Sequence, residues 1–298
     1  MGTIAIFSRL DFFDPGDNKI PGYDIILTEL YREEIPNTLV KIIRKHGYFG
    51  ANAMIKHCSE ADMYDIAIYP DVQITKNAVR VLAKHPLARK QIIYYQNKLT
   101  DRDIDIIKIA KDKGFVVATY NLHDAREYGL DYNPQFWNTK YRKLVDPNKE
   151  PEIDVYFCGK EKGRYQELME LKNQLINAGL KVLFTIVSDK SLPETQKEYV
   201  SYDTYMDHLG RSRVVVDIVN EINKGLTIRP LEALFLKKKL ITNYKEIAEY
   251  DFYDDNRENI FILGTDDGLR GFVERDFADN DFDMDRYSLS SWIRRFTQ

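Results

Sequence analysis

The sequence predicts an α/β chain made of two parallel-sheet halves. Three observations carry that expectation. Short, continuously apolar runs rich in Val, Ile and Tyr recur along the chain; segments of helical period lie between them; and the alternation restarts after a proline- and charge-rich stretch near the middle. Strands buried on both faces read as unbroken apolar runs, and a parallel sheet covered by helices requires such strands.

In the first half the runs are Thr3–Phe7, Tyr23–Leu27, Tyr64–Tyr69, Gln91–Tyr95 and Gly114–Thr119, with helical periodicity over Ile35–Lys45 and Ile104–Lys113. Residues 129–153 carry Gly129, Asn133, Pro134, Pro147 and Pro151 and show no period, so they predict a linker or a partly ordered crossing. Strands are then expected at Asp154–Cys158, Lys181–Val187, Arg213–Ile218, Lys239–Thr242 and Ile260–Leu263. Helices are expected at Arg164–Ala178, closed by Gly179, and at Tyr202–Leu209 and Ile228–Phe235. A final amphipathic helix, Arg286–Phe296, offers Trp292, Ile293 and Phe296 either to the first half or to a membrane surface. The expected domains are 1–145, 146–280 and a C-terminal helix, 281–298, packing back toward the first.

Bulk composition excludes several classes. At 298 residues, 44% hydrophobic and 30% charged, the chain is an ordinary globular protein. A net charge of −4 with interspersed signs argues against a general nucleic-acid binder. Two cysteines, Cys58 and Cys158, make no disulfide framework, and a reducing, cytoplasmic setting is expected. The first ten residues do not read as a signal peptide, and no run approaches the ~20 apolar residues of a membrane span. The five histidines lack tight ligand spacing; Asp101–Asp103 and Asp281–Asp283 read as solvated acids, so no metal is expected.

Ligands of open α/β sheets gather beyond the carboxyl ends of strands. After Asp154–Cys158 comes Gly159-Lys-Glu-Lys162-Gly-Arg164, opening a helix. Glycines permit close approach of backbone, and a helix N-terminus with Lys and Arg favours a diphosphate; a solvated basic turn is the structural alternative. After Arg213–Ile218, the segment Lys224-Gly225-Leu-Thr227-Ile-Arg229 again opens a helix. Glu232 follows among Leu231, Leu234 and Phe235. One carboxylate can accept from both hydroxyls of a ribose, although Glu232 could equally pair with Arg229 on the helix surface.

The segment Gly225-Leu-Thr-Ile-Arg-Pro-Leu-Glu232-Ala-Leu, followed by Lys238-Lys-Leu-Ile-Thr-Asn243, resembles the donor-site helix and strand of GT-B-fold glycosyltransferases, in particular small bacterial enzymes of lipopolysaccharide and capsular polysaccharide synthesis. Tyr156-Phe-Cys-Gly-Lys-Glu-Lys-Gly-Arg164, Tyr94-Tyr-Gln-Asn-Lys98, His123-Asp-Ala-Arg-Glu-Tyr128, Tyr250-Asp-Phe-Tyr253 and Asn259-Ile-Phe-Ile-Leu-Gly264 fit the same group. The resemblance implies two Rossmann-like domains facing a cleft and a metal-independent, hexosyltransferase-like activity. The donor would be a nucleoside-diphosphate sugar, with UDP as carrier and no other cofactor, and the acceptor a glycan or lipid-linked sugar. It places the enzyme in the cytoplasm, at the inner face of the plasma membrane. It assigns Glu232 to the ribose and Gly225 and Thr227 to the diphosphate. By charge and position, Gly159, Lys162, Arg164, Lys224 and Arg229 could also meet the diphosphate, and Tyr202, like Tyr199 and Tyr205, falls where a donor-half loop often meets the base, although tyrosines at this spacing more often pack. Many retaining members carry a second Glu where this chain has Lys224, so the stereochemical course stays open. For an inverting reaction, Asp11 after the first strand is the expected base. Two alternatives remain: a non-catalytic nucleotide-sugar sensor or scaffold of the same fold, and a sugar epimerase, against which the missing Gly-x-Gly-x-x-Gly counts.

Overall fold

A computed structural model describes residues 1–8, 10–16, 19–32, 35–36, 38–39, 42, 54–146, 149–220 and 225–298. The helix expected over Ile35–Lys45 falls mostly outside the described residues, and Lys224 falls outside them altogether. The described residues form two compact units, each with one parallel sheet: residues 1–138 with 289–298, and residues 139–288. The two-sheet α/β architecture expected from the sequence is the one observed.

The first unit contains β1 (Gly2–Phe7), β2 (Tyr23–Thr28), β3 (Tyr64–Pro70), β4 (Ala88–Tyr95), β5 (Val116–Thr119) and β6 (Asp131–Tyr132), in the order β2-β1-β3-β4-β5-β6. Every pairing is parallel, with Ile4 beside Ile66 and Ile68 beside Ile92. Side chains alternate across a strand, and here the alternation sorts residues between two cores. Ala5, Phe7, Ala67, Tyr69, Ile93 and Tyr95 pack with α1 (Lys76–Lys84) and α2 (Asp101–Asp112) through Val79, Leu82, Ile106 and Ala110. Ile4, Ile6, Ile66, Ile68, Ile92 and Tyr94 face the other way.

That second face is closed by the end of the chain. The last helix, Leu289–Arg295, puts Leu289, Trp292, Ile293 and nearby Phe296 into the core. Trp292 is wholly buried; its ring lies 4.8 Å from those of Tyr94 and Phe136, 5.0 Å from Phe296 and 5.7 Å from Phe13. With these side chains buried, the helix has no apolar face left for a membrane surface. Among the described residues no helix is long and apolar enough to cross one.

The stretch read as a linker is largely structured. Residues 131–138 supply β6 and the buried Phe136, Trp137 and Asn138, and Asn138 Nδ2 donates to the carbonyls of Phe12 and Asp14. Individual aromatic rings anchor this segment instead of a periodic face, so no period betrays it. The division between units falls after Asn138 and before Leu289, where the sequence suggested 145/146 and 280/281.

The second unit contains β7 (Ile153–Lys160), β8 (Val182–Val187), β9 (Thr195–Gln196), β10 (Ser212–Asp217), β11 (Lys239–Thr242) and β12 (Ile260–Ile262), all parallel, in the order β12-β11-β10-β7-β8-β9. The helix α3 (Tyr165–Asn177) buries Leu168, Leu171 and Leu175 against Phe157, Phe184 and Val214. Gly179, with φ of 81°, provides the left-handed step after it, as expected; Ile176 is exposed. On the opposite face lie α4 (Tyr202–Gly210), whose Tyr205 ring packs 5.8 Å from Tyr156 of β7, and α5 (Ile228–Phe235), whose residues from Pro230 to Phe235 are buried.

Truncating a large buried aromatic typically costs about 3–5 kcal/mol. Trp292→Ala is therefore expected to lower the stability of the first unit by about that much in urea denaturation; a loss under about 1 kcal/mol would contradict this packing.

Candidate functional site

In the second sheet the chain leaves β7 toward β8 on one side, and returns as β10 on the other. The carboxyl ends of β7 and β10 therefore flank a topological switch point, where open α/β sheets leave a crevice. The loops after these two strands meet there.

Leaving β7, the chain passes Gly159 and turns at Glu161–Arg164. Lys162 and Gly163 both take left-handed backbone angles, φ 45° and 83°. Glu161 fixes the turn: its carboxylate accepts from the Gly163 N–H at 2.5 Å and from Lys190 at 3.1 Å, and the backbone bond holds its pKa below the usual value. Helix α3 then begins without a side-chain cap, which leaves first-turn N–H groups without side-chain acceptors. Lys162 is exposed.

Arg164 turns back over the strand ends. Its guanidinium donates to the carbonyls of Ile218 and, at 3.0 Å, Lys160. Arg229, in the first turn of α5, arrives from the other side and donates to the Cys158 carbonyl at 2.6 Å and to Asp217 Oδ1 at 2.9 Å. Both guanidiniums lie near the Phe157 ring, 5.4 and 5.2 Å from its centre. They converge over Gly159: a Cβ there would sit 2.7 Å from Arg229 Nη2 and 3.5 Å from Arg164 Nη2. A side chain there would push the Arg229 guanidinium aside.

The two arginines are held differently. Asp217 is buried and serves Arg229 and the Thr227 hydroxyl, 2.7 Å away. Thr227 also caps α5. Arg164 has only backbone acceptors among the described residues. Burial, followed by the charge of Arg229, pushes its pKa down to about 10. Burial disfavours the Arg229 charge too, but Asp217, Tyr205 and Glu232 together more than offset it and the net shift is upward. The Nε atoms of both arginines are buried without acceptors. Two clustered guanidiniums beside two helix starts are an arrangement that can receive an anion, although the carboxylates of Asp217, Glu161, Glu167 and Glu232 also act on them.

Glu232 lies one turn further along α5 and is 1% exposed. Its Oε1 accepts from the Tyr202 hydroxyl at 2.8 Å and its Oε2 from the Tyr205 hydroxyl at 2.5 Å. Burial raises the Glu232 pKa, against the opposing pull of the tyrosine bonds and Arg229. The i, i+3 pair with Arg229 considered from the sequence does not form: Arg229 takes Asp217 instead. Asn243, after β11, knits the floor together, bonding to both backbone groups of Val219 and to Glu167.

The structure thus brings Gly159, Arg164, Thr227, Arg229, Glu232 and Tyr202 into one region of the second unit, with the buried Gly225 leading into α5. Tyr199 is exposed, with Lys160 5.0 Å from its ring. Asp11 opens a short 3-10 turn after β1, exposed and in the first unit. Phe157, the platform for both arginines, was not singled out from sequence; as an inward strand residue it carries no signal beyond core. Among the described residues no three of His, Cys, Asp and Glu assemble as ligands for an ion. A separate hollow of about 780 Å³ lies by β12, lined by Arg257, Asp266, Gly268 and Arg275 among others. Two of its charges serve the sheet edge: Asp266 accepts from the Ile262 N–H and from Arg257, which also donates to the Ile260 carbonyl.

No family model matches the chain, and no curated protein matches it in sequence. Among solved structures, a glycotransferase of kitacinnamycin aligns over 98% of this chain and 94% of that one, with a TM-score of 0.47 and 12% identity. An NAD-dependent formate dehydrogenase from Staphylococcus aureus, in complex with NAD, aligns over 99% and 91% with a TM-score of 0.19 and 11% identity. Neither likeness is close enough to carry a function, which rests instead on the side chains above.

Removing one partner of a buried ion pair typically costs about 3–5 kcal/mol, because the other charge is left uncompensated. Asp217→Ala is expected to destabilise the second unit by about that amount in urea denaturation, and the double variant Asp217→Ala/Arg229→Met by less than the single one. A single-variant loss under about 1 kcal/mol would show that Asp217 does not hold Arg229 in place.

Proposed function

We propose that the chain is a glycosyltransferase that moves a sugar from a nucleoside-diphosphate sugar, with UDP as the preferred carrier, to a glycan or lipid-linked acceptor in cell-surface polysaccharide synthesis. The observation that carries the reading is the convergence of Arg164 and Arg229 over Gly159 at the switch point, with the Glu232 carboxylate one helical turn beyond. A diphosphate suits the paired guanidiniums, and a ribose diol suits a carboxylate at that spacing. The resemblance of these same segments to GT-B donor sites supports the choice of reaction.

Transfer breaks the bond between the anomeric carbon and the diphosphate oxygen, and the acceptor hydroxyl forms the new one. Negative charge grows on the departing diphosphate. Arg164, Arg229, the exposed Lys162, Lys224 and the N-terminus of α5 at Thr227 are the groups proposed to stabilise it, in a metal-independent reaction. Gly225 and Gly159 would let the diphosphate approach the backbone. Asp11 is the proposed base for the acceptor proton if the reaction inverts. The proposed setting is the cytoplasmic face of the plasma membrane, where lipid-linked acceptors are presented.

Loss of a charged hydrogen-bond partner costs about 1.5–3 kcal/mol, or roughly ten- to more than a hundredfold in affinity. In calorimetry, Arg164→Gln should weaken UDP binding by about that factor and leave binding of uridine, which has no phosphate, unchanged. Equal losses for both ligands, or no loss for UDP, would refute the diphosphate assignment. Release of UDP from UDP-sugars in the presence of a glycan acceptor tests turnover; tight binding without release would make the chain a sensor.

A further inference from the structure

Glu232 does not meet solvent. At 1% exposure its carboxylate is enclosed, and each oxygen already accepts from a tyrosine hydroxyl, Tyr202 at 2.8 Å and Tyr205 at 2.5 Å. Two hydroxyl donors on one carboxylate are what the diol of a ribose would present. In the free protein, therefore, α4 supplies from its own residues the bonds that a ribose would make.

The two tyrosines are not equally fixed. Tyr205 is buried in the middle of α4, its ring stacked at an angle 5.8 Å from that of Tyr156 in the sheet. Displacing it would open the core behind β7. Tyr202 is the first residue of α4, directly after the Ser201 cap, and is only half-buried, its ring meeting Tyr141 edge-on at 4.7 Å. Moving it gives up ring contacts with Tyr141 and, at 5.7 Å, with Tyr205, but leaves the core behind β7 in place. Of the two groups bonded to Glu232, Tyr202 is the one that can leave and open a path to the carboxylate.

We propose that Tyr202 is a built-in competitor for the ribose: its hydroxyl occupies Glu232 Oε1 in the free protein and is displaced by the nucleotide, while Tyr205 stays and holds the carboxylate in place. The inference rests on the donor-site reading above and makes Tyr202 the residue that sets nucleotide affinity. A ribonucleotide exchanges one tyrosine bond for two ribose bonds and gains. A 2′-deoxyribonucleotide exchanges one bond for one and gains nothing at Glu232, so the competitor disfavours it.

The sign of the effect separates this role from a structural one. Tyr202→Phe keeps the ring against Tyr141 and removes only the competing hydroxyl. Net hydrogen bonds of this kind correspond to roughly three- to tenfold in affinity, so calorimetry should show UDP and 2′-deoxy-UDP each binding roughly three- to tenfold tighter to Tyr202→Phe than to the unaltered chain. Tyr205→Phe should bind UDP no tighter. A merely structural Tyr202 hydroxyl would give unchanged or weaker binding on its removal, and that result overturns the proposal, as does equal tightening in Tyr205→Phe. If the unaltered chain binds no UDP at all, the donor-site reading itself fails, and the competitor with it; if it binds UDP and Tyr202→Phe does not tighten, only the competitor fails. Thermal melting of each variant without ligand confirms that the fold is retained.

Discussion

Two guanidinium groups held side by side in a half-buried position need a reason to stay there. Arg229 has one in Asp217, which is itself buried and pairs with it at 2.9 Å. Arg164 has backbone carbonyls and the face of Phe157, and its pKa is lowered accordingly. The pair forms because β7 and β10 are neighbours whose helices leave in different directions, so that both following loops close over the same two strand ends. Gly159 leaves the space, Thr227 and Asp217 set the angle at which α5 begins, and Asn243 ties in the next strand. Take away the Asp217–Arg229 pair and the start of α5, and with it Glu232, loses its anchor.

The carboxylate at Glu232 belongs to the same construction but has the opposite problem. It is buried among aromatic rings, where ionisation is costly. The tyrosine hydroxyls and the nearby Arg229 charge offset that cost. A site that must receive a polar ligand cannot keep an unsatisfied carboxylate while it waits. Hydroxyls from α4 satisfy it; in the proposed role a ribose takes over one of those bonds, and the difference in burial between Tyr202 and Tyr205 decides which hydroxyl gives way.

Most of the fold could be read from the sequence because buried parallel strands announce themselves as apolar runs. Ten strands were expected close to where they occur; β6 and β9, two residues each at sheet edges, are too short to leave a pattern. Residues 131–138 escaped because Phe136 and Trp137 pack singly. Of the site, the loops bearing Gly159, Arg164, Thr227, Arg229 and Glu232 were visible as glycine- and lysine-rich turns opening helices. Who bonds to whom was not. Local spacing suggested Arg229 with Glu232; the tertiary fold offered Arg229 a buried carboxylate at the end of β10, twelve residues earlier in the chain, and left Glu232 to two tyrosines on a different helix. Such choices are made by contacts between distant segments, which periodicity does not encode.

The central claim is that the paired arginines and Glu232 form one nucleotide-diphosphate site. A crystal structure of the chain grown with UDP tests it most directly. The account predicts the diphosphate against Arg164 and Arg229 above Gly159, the ribose hydroxyls on Glu232, and the Tyr202 hydroxyl moved off Oε1. Nucleotide bound instead in the hollow between Arg257 and Arg275, with Glu232 still closed by both tyrosines, would contradict it.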